Sequence, residues 1–539
     1  MTAERDTARR LDGWAVAIVL LAAAFRLWRI DVPFIDAHSW RQVTNADIAR
    51  LWVEGPIDFF YPSVSWGGPD GRVGMEFPLL HLLIALAWRV VGVSDVAGRL
   101  VPAAFSVATV WLLYRLGTRL FGIATGRAAA FLLAVSPSVV YFGRTPLSDT
   151  PMLTFSVAAV LGYVAYAQTG RGAHAVAGAV SLALAGLVKI PAILVLGPIA
   201  IVGWLQHGWR LWRDPWYVAG PLAALGAVAL WYLHADQIYL ETGLTQAIFR
   251  PSGTYGAEIA AWAGPFITVS HWTRPELLTG DTARELLLRF WALHLTPAFA
   301  VVTVVGALVR WRGVWPDRLV VDVWALAAAT LILVSLQGQY FHEFHQLPAL
   351  PPLALYFGLA AAPLFDGRTW QRLPAWPRRL APVAVAVLIG WVAVRGFATS
   401  RVIPQLYRPY SLNTPLMNAG QQIAVATPAD ALVATVEYER YGSNSPMLLY
   451  FAHRKGWSFD ATSISPSVVA HLHGDRGVCY VAIGDWPTLE ALRPDMVDFL
   501  RPYPRIPLAD THEVFQLIDL GCGRPPAAAG STASPGAFE

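Results

Sequence analysis

Apolar runs long enough to cross a lipid bilayer recur along the first 400 residues. They fall at 13–30, 98–121, 127–143, 151–168, 173–189, 191–206, 217–234, 289–310, 319–336, 347–365 and 380–398. A helix of about 20 apolar residues spans the ~30 Å hydrocarbon layer. Only 14% of the 539 residues are charged and 55% are hydrophobic, against about 25% charged in soluble domains. The expected class is therefore an all-α polytopic membrane protein.

Arginine placement orients the spans. Arginine-bearing loops lie at 2–10, 114–127, 168–174, 207–214, 309–318 and 366–379. All six share one side, the cytoplasm, if the twelfth apolar segment "FPLLHLLIALAWRVVGV" (77–93) does not fully cross. Pro78 at its start and Arg89 inside it fit a juxtamembrane helix. About eleven transmembrane helices follow, with the N-terminus in the cytoplasm. Residues 31–97, 143–150, the turn at Lys189, 235–288, 337–346 and everything after about 399 are expected outside. The first apolar run has no small-residue cleavage site and is expected to stay as a span. Lys189 and Lys455 are the only lysines. The arginine and alanine bias points to a GC-rich bacterial genome and so to a bacterial plasma (inner) membrane.

Residues 1–399 form the expected membrane domain. From 400 to 523 charges rise, and β-branched runs such as "ALVATVE" (431–437) alternate with helical stretches such as "TLEALRPDMVDFL" (488–500). This reads as a soluble α/β domain, periplasmic or extracellular. The tail 524–539 is expected to be disordered. Cys479 and Cys522 are free to pair in an oxidising compartment, but two thiols make no metal site. The net charge of +4 gives no reason to expect nucleic acid. No P-loop and no Gly-rich dinucleotide turn occurs, which argues against ATP-driven transport.

The outward loops collect the polar residues. "PFIDAHSWRQVTNADIARLWVEG" (33–55) sets Asp36, His38, Arg41 and Gln42 within seven residues of one another. The helix after Asp36 reads as amphipathic and interfacial, with Arg41, Asn45, Arg50 and Glu54 toward water. Asp36 either caps or merely precedes that helix, where the dipole stabilises an acid, or is a general base at a water-poor interface. In "YFGRTPLSDTPML" (141–153), Arg144 and Asp149 sit in a turn, and a helix cap by Asp149 is a strong competing reading. Lys189 either snorkels to headgroups or holds a phosphate. "YFHEFHQLP" (340–348) presents His342, Glu343 and His345, but these do not complete a metal ligand set.

The order of these motifs carries a resemblance. The first-loop acid, "EFPLLHLLIALAWRVVG" (76–92), "GRTPLSDTPML" (143–153), "GLVKIP" (186–191) and "HEFHQLPALPPLAL" (342–355) together resemble the C-type (GT-C) glycosyltransferase superfamily. The nearer likeness is to the branch holding protein O-mannosyltransferases and bacterial aminoarabinose lipid A transferases. It covers roughly 13–365. The resemblance implies transfer of a sugar from a polyprenyl-phosphate sugar at the external leaflet. It matches Asp36 to the first-loop acid, the candidate base, and Glu76 and Asp149 to further family acids. It places Lys189 and Arg250 where relatives carry phosphate-binding cations. Two positions depart from the family: Ala37 stands where many relatives have Glu, and Phe77 where some have Lys. The second shifts phosphate neutralisation to Arg41, Lys189 or Arg250.

The expected function is thus an integral-membrane glycosyltransferase. Its catalytic candidates are Asp36, Glu76 and Asp149. Its substrate-binding candidates are His38, Arg41, Gln42, Arg144, Lys189, Arg250, His342, Glu343 and His345. The partners are a polyprenyl-phosphate sugar, a cell-envelope glycan, lipid or protein acceptor, and membrane lipids. No cofactor is demanded; a divalent metal stays open. The alternatives are a lipid or lipid-linked-sugar transporter and a non-catalytic envelope-assembly scaffold.

Overall fold

The computed structural model describes residues 12–246, 272–308, 316–371, 412, 414–437, 445–508 and 514–522. They divide into two units. The first takes the described parts of Met1–Pro33, Glu76–His234 and Ser270–Tyr410; the second takes those of Phe34–Met75, Ala235–Val269 and Ser411–Glu539.

The first unit is helical. Among the described residues, Asp95–Phe121, Asp149–Thr169, Ile190–Arg213, Pro215–Thr242 and Glu343–Phe365 are each long and apolar enough to cross a membrane. Gly280–His294 and Pro297–Leu308, bent by 107°, make a sixth if the pair counts as one span. Gly13–Leu27, Leu79–Val91, Ile123–Val135 and Gly172–Val188 are shorter apolar helices. The expected span at 380–398 lies outside the described residues. Small residues let the helices approach closely. A Cβ on Gly162 would sit 2.6 Å from the Cα of Gly178 in the next helix, and one on Gly306 would meet the Tyr356 carbonyl.

Two expected spans prove to be broken. The run 127–143 divides into Ile123–Val135 and Pro137–Phe142. Pro137 has no N–H to give the Leu133 carbonyl. Arg26 fills the gap from the buried side of Gly13–Leu27: Nη2 donates to Leu133 O at 3.1 Å and Nη1 to Ala134 O at 3.0 Å. Its Nε donates to Ser106 Oγ at 2.7 Å. The run 289–310 breaks before Pro297, where Thr296 takes φ 63° after a π-helical turn, Phe290–His294. At the exit of the first helix, Arg144 Nη1 donates to Arg29 O at 2.5 Å. Arg99 donates there to Val32 O at 2.7 Å and Pro33 O at 2.8 Å.

The second unit is built on a five-stranded sheet of order β2-β1-β3-β5-β4. The strands are β1 Leu432–Glu437, β2 Lys455–Asp460, β3 Val478–Ile483, β4 Arg505–Ile506 and β5 Gln516–Asp519. β2, β1 and β3 are parallel, with helices Met447–Ala452 and Pro466–Arg476 as crossovers. β5 and β4 add antiparallel. One face carries the core: Ala434, Val436, Phe459, Val481 and Ile483 pack with Leu472, Leu489 and Leu500. Cys479 and Cys522, 43 residues apart, form a disulfide. A loop of that length gains about 2–4 kcal/mol from the crosslink.

Helix Ser39–Glu54 corrects the sequence reading. Asn45 and Arg50, expected toward water, are buried with Asp47; Arg41 is half-buried and only Glu54 is exposed. The helix is an internal element of the second unit and not a strip lying on lipid.

Glu437, at the carboxyl end of β1, is also buried. Its carboxylate accepts Ser445 Oγ at 2.6 Å and the Leu448 N–H at 3.0 Å. Burial raises its pKa from 4.5 to about 7, against the pull of those two bonds. A carboxyl whose folded pKa lies above the unfolded one holds its proton longer in the native state. Its contribution is therefore full below about pH 4.5 and is lost as pH rises toward about 7. Glu437→Gln is expected to remove that slope. Thermal unfolding of the full chain at pH 5 and pH 7.5 checks it: the parent should lose more stability over this interval than the variant, and equal losses would contradict the assignment.

Candidate active-site residues

In the second unit, Asp36 occupies the turn before helix Ser39–Glu54. It is 2% exposed. Gln42, one turn into the helix, donates its amide to Asp36 Oδ1 at 2.6 Å and to Ala37 O at 2.7 Å. The cap position belongs to His38, in the left-handed region at φ 57°, and its side chain makes no capping bond. Asp36 lies two residues upstream of that cap. Arg41 Nη1 donates to Gln246 Oε1 at 3.0 Å. Gln246 is itself fixed, its N–H bonded to Gly74 O at 2.8 Å. Of the sequence cluster 36–42, Asp36 and Gln42 are thus in direct contact, while Arg41 reaches to Gln246. Arg250 lies outside the described residues.

In the first unit, Asp149 and Lys189 meet. Lys189 Nζ donates to Asp149 Oδ2 at 2.6 Å, and both side chains are buried. The meeting follows from chain order. Asp149 begins helix Asp149–Thr169, and Lys189 ends Gly172–Val188, its antiparallel neighbour. Lys189 Nζ also lies 5.2 Å from the centroid of the Phe344 ring. Phe344 stacks on His342 at 5.2 Å and meets His345 at 4.7 Å. Lys189, His342 and His345 therefore surround one aromatic ring, with Glu343 buried in the same turn. Arg144 lies over Tyr141, and Phe142 touches Phe344. Glu76 is buried. Its neighbour Phe77 bonds Leu187 O at 3.0 Å, two residues before Lys189. An apolar cleft opens beside this cluster, lined by Leu153, Pro191, Ala192, Trp324, Ala328 and Pro348 among others.

Sequence reasoning missed His294. It is fully buried, with Nδ1 2.8 Å from Ser138 Oγ and Nε2 2.7 Å from Gln346 Oε1. An amide oxygen only accepts, so Nε2 carries the proton and Nδ1 accepts from Ser138. The ring ties together the broken helices at 136–137 and 295–296 and the turn 343–349. The available signal was a histidine inside an apolar run, costly unless partnered. Among the described residues no group of three His, Cys, Asp or Glu is placed to hold a metal ion.

Residues 76–233 match the sequence profile of the family described as dolichyl-phosphate-mannose-protein mannosyltransferase. YycA of Bacillus subtilis (strain 168), provisionally named a mannosyltransferase, is 29% identical over 154 residues. That alignment covers 28% of this chain and 21% of YycA, so the chain matches about a fifth of that relative's length. Among solved structures, ArnT from Cupriavidus metallidurans, bound to undecaprenyl phosphate, aligns over 94% of this chain and 98% of its own with TM-score 0.60 and 14% identity. The archaeal oligosaccharyltransferase AglB from Archaeoglobus fulgidus, in complex with an inhibitory peptide and a dolichol-phosphate, aligns over 92% and 72% with TM-score 0.54 and 13% identity. The resemblance read from the motifs is borne out: the fold is that of the C-type glycosyltransferases, and residues 76–233 match the profile of the mannosyltransferase family.

Proposed function

We propose that this protein transfers a sugar from a polyprenyl-phosphate donor to a cell-envelope glycan, lipid or protein at the external face of a bacterial inner membrane. Asp36 is the general base that takes the acceptor hydroxyl proton. Lys189, with Arg250 or Arg41, neutralises the donor phosphate as it becomes the leaving group. The observation that carries the reading is Asp36 itself. It is a buried carboxylate steadied by the Gln42 amide, two residues outside the helix cap it was a candidate to form.

The Lys189–Asp149 pair suits a phosphate, since an incoming anion shares a cation already held in place. The topology proposed has eleven crossings, a cytoplasmic N-terminus and an external second unit. The Cys479–Cys522 disulfide supports it, because disulfides persist in oxidising compartments. Broken helices around a buried histidine are a feature a transporter would share. Here both ring nitrogens of His294 are taken by Ser138 and Gln346.

The deciding experiment incubates purified protein with a panel of polyprenyl-phosphate sugars and envelope extract, and reads release of polyprenyl phosphate. Release from one donor class is expected. A folded protein that releases none from any donor would overturn the reading.

A further inference from the structure

We infer that the C-terminal sheet is the positioning element for the Asp36 turn, acting through the buried Asp47–Arg50 pair and through residues 65–68 laid against strand β2. The inference rests on the catalytic reading of Asp36 above and assigns a role to the part of the chain that reading leaves idle.

Helix Ser39–Glu54 starts three residues after Asp36 and carries Gln42, which holds the carboxylate. Whatever fixes this helix fixes Asp36. Arg50 is the hub. Its Nη2 donates to Asp47 Oδ1 at 2.9 Å and Ser65 Oγ at 3.1 Å. Its Nη1 donates to Glu54 Oε1 at 3.0 Å and lies 3.1 Å from His453 Nδ1. The guanidinium also sits 5.2 Å from the Tyr450 ring centroid. One side chain thus joins the helix, the returning first loop and the helix Met447–Ala452 with its cap. Burial alone would lower the Arg50 pKa, but the carboxylates of Asp47 and Glu54 hold it above its usual value, so the charge persists.

A second set of bonds makes the same connection through backbone. Asp47 Oδ2 accepts the Ser65 N–H at 2.7 Å. Ser65 O accepts the Gly456 N–H at 2.9 Å, and Gly68 N donates to Gly456 O at 2.7 Å. Gly67 pairs antiparallel with Trp457. Since β2 is an edge strand, the first loop covers that edge. Gly68, at φ +83°, lets the Trp457 ring pack on its backbone; a Cβ there would come within 2.7 Å of the ring. Lys455 Nζ closes the segment on Pro69 O at 2.7 Å. At the other end, Ser39 Oγ contacts Met447 Sδ at 3.5 Å.

A buried ion pair is a poor stability device, because well-packed apolar residues of similar volume are often as stabilising. Its distinctive property is direction. A guanidinium fork fixes its acceptors in angle as well as distance. Directional bonding is worth keeping where a reacting group must be held to a fraction of an ångström, since about 1 Å of misplacement costs on the order of 10²-fold in rate.

The test compares the full-length parent with two variants: Asp47→Leu/Arg50→Met, which empties the pair into apolar packing, and Arg50→Lys. Backbone amide exchange over 36–46 and polyprenyl-phosphate release are read together. The double variant should unfold near the parent temperature, exchange faster over 36–46, and lose about 10²-fold in kcat with donor KM unchanged. Arg50→Lys, keeping charge without the fork, should fall between. If the double variant does not fold, the graded response of Arg50→Lys decides. Parental exchange, or faster exchange with parental kcat, overturns the inference. Should the parent release no polyprenyl phosphate, the reading of Asp36 falls, while the exchange result still decides whether the sheet holds the turn.

Discussion

Asp36→Asn is expected to fold, to bind donor as well as the parent, and to transfer sugar about 10²–10⁴-fold more slowly. The substitution keeps the size of the side chain and an oxygen for the Gln42 amide, which donates to Oδ1 at 2.6 Å. It removes the one property a general base needs, the capacity to take a proton. A capping role makes the opposite forecast, because asparagine caps a helix as well as aspartate. His38 holds the cap position, so the structural role left to Asp36 is that of an acid preceding the helix, in the field of its dipole. Turnover and thermal stability of Asp36→Asn measured side by side decide between them. Near-parental turnover would remove Asp36 from catalysis and hand the role to Glu76 or Asp149.

Lys189→Met is expected to damage both stability and donor binding. Truncating one member of a buried ion pair leaves the other charge stranded, at about 3–5 kcal/mol. Asp149, 2.6 Å from Lys189 Nζ and nearly sealed from solvent, is the acid that would lose this cation. Stability alone therefore cannot assign Lys189 to the phosphate. The double variant Asp149→Asn/Lys189→Met separates the two effects: it should regain most of the lost stability and still bind donor weakly. Lys189→Arg should rescue only in part, because a planar fork replaces a point charge. Unfolding and donor titration of the three variants make the comparison. Parental stability in Lys189→Met would dissolve the pair, and parental donor affinity in the double variant would dissolve the phosphate assignment.

What was legible in the sequence were features written locally. Apolar runs announced the helices, but 127–143 and 289–310 read as unbroken spans although Pro137 and Pro297 stand at their breaks. The cluster 36–42 was readable because one helical turn brings Gln42 back to Asp36. Features that depend on distant partners were not. Helix Ser39–Glu54 looked amphipathic because its polar residues are real, but their partners, Tyr450 and His453, come about 400 positions later. The Asp149–Lys189 bond requires knowing that two successive helices turn back on each other. His294 gave only the bare hint of a polar residue in an apolar run, with nothing local to name Ser138 or Gln346 as its partners.

Arg26 has a consequence for the order of events at the ribosome. Its bonds to Leu133 O and Ala134 O reach across 107 and 108 residues. At about 5–20 residues per second, those carbonyls emerge roughly 5–20 s after the arginine. In the proposed topology, where Gly13–Leu27 is the first crossing, Arg26 has at the start of that interval only the Ala22 carbonyl of its own helix, and its guanidinium is expected to wait among the headgroups. Under that topology the first crossing is provisional when it is made, and it is expected to settle only when the segment 127–143 of the nascent chain arrives to receive it.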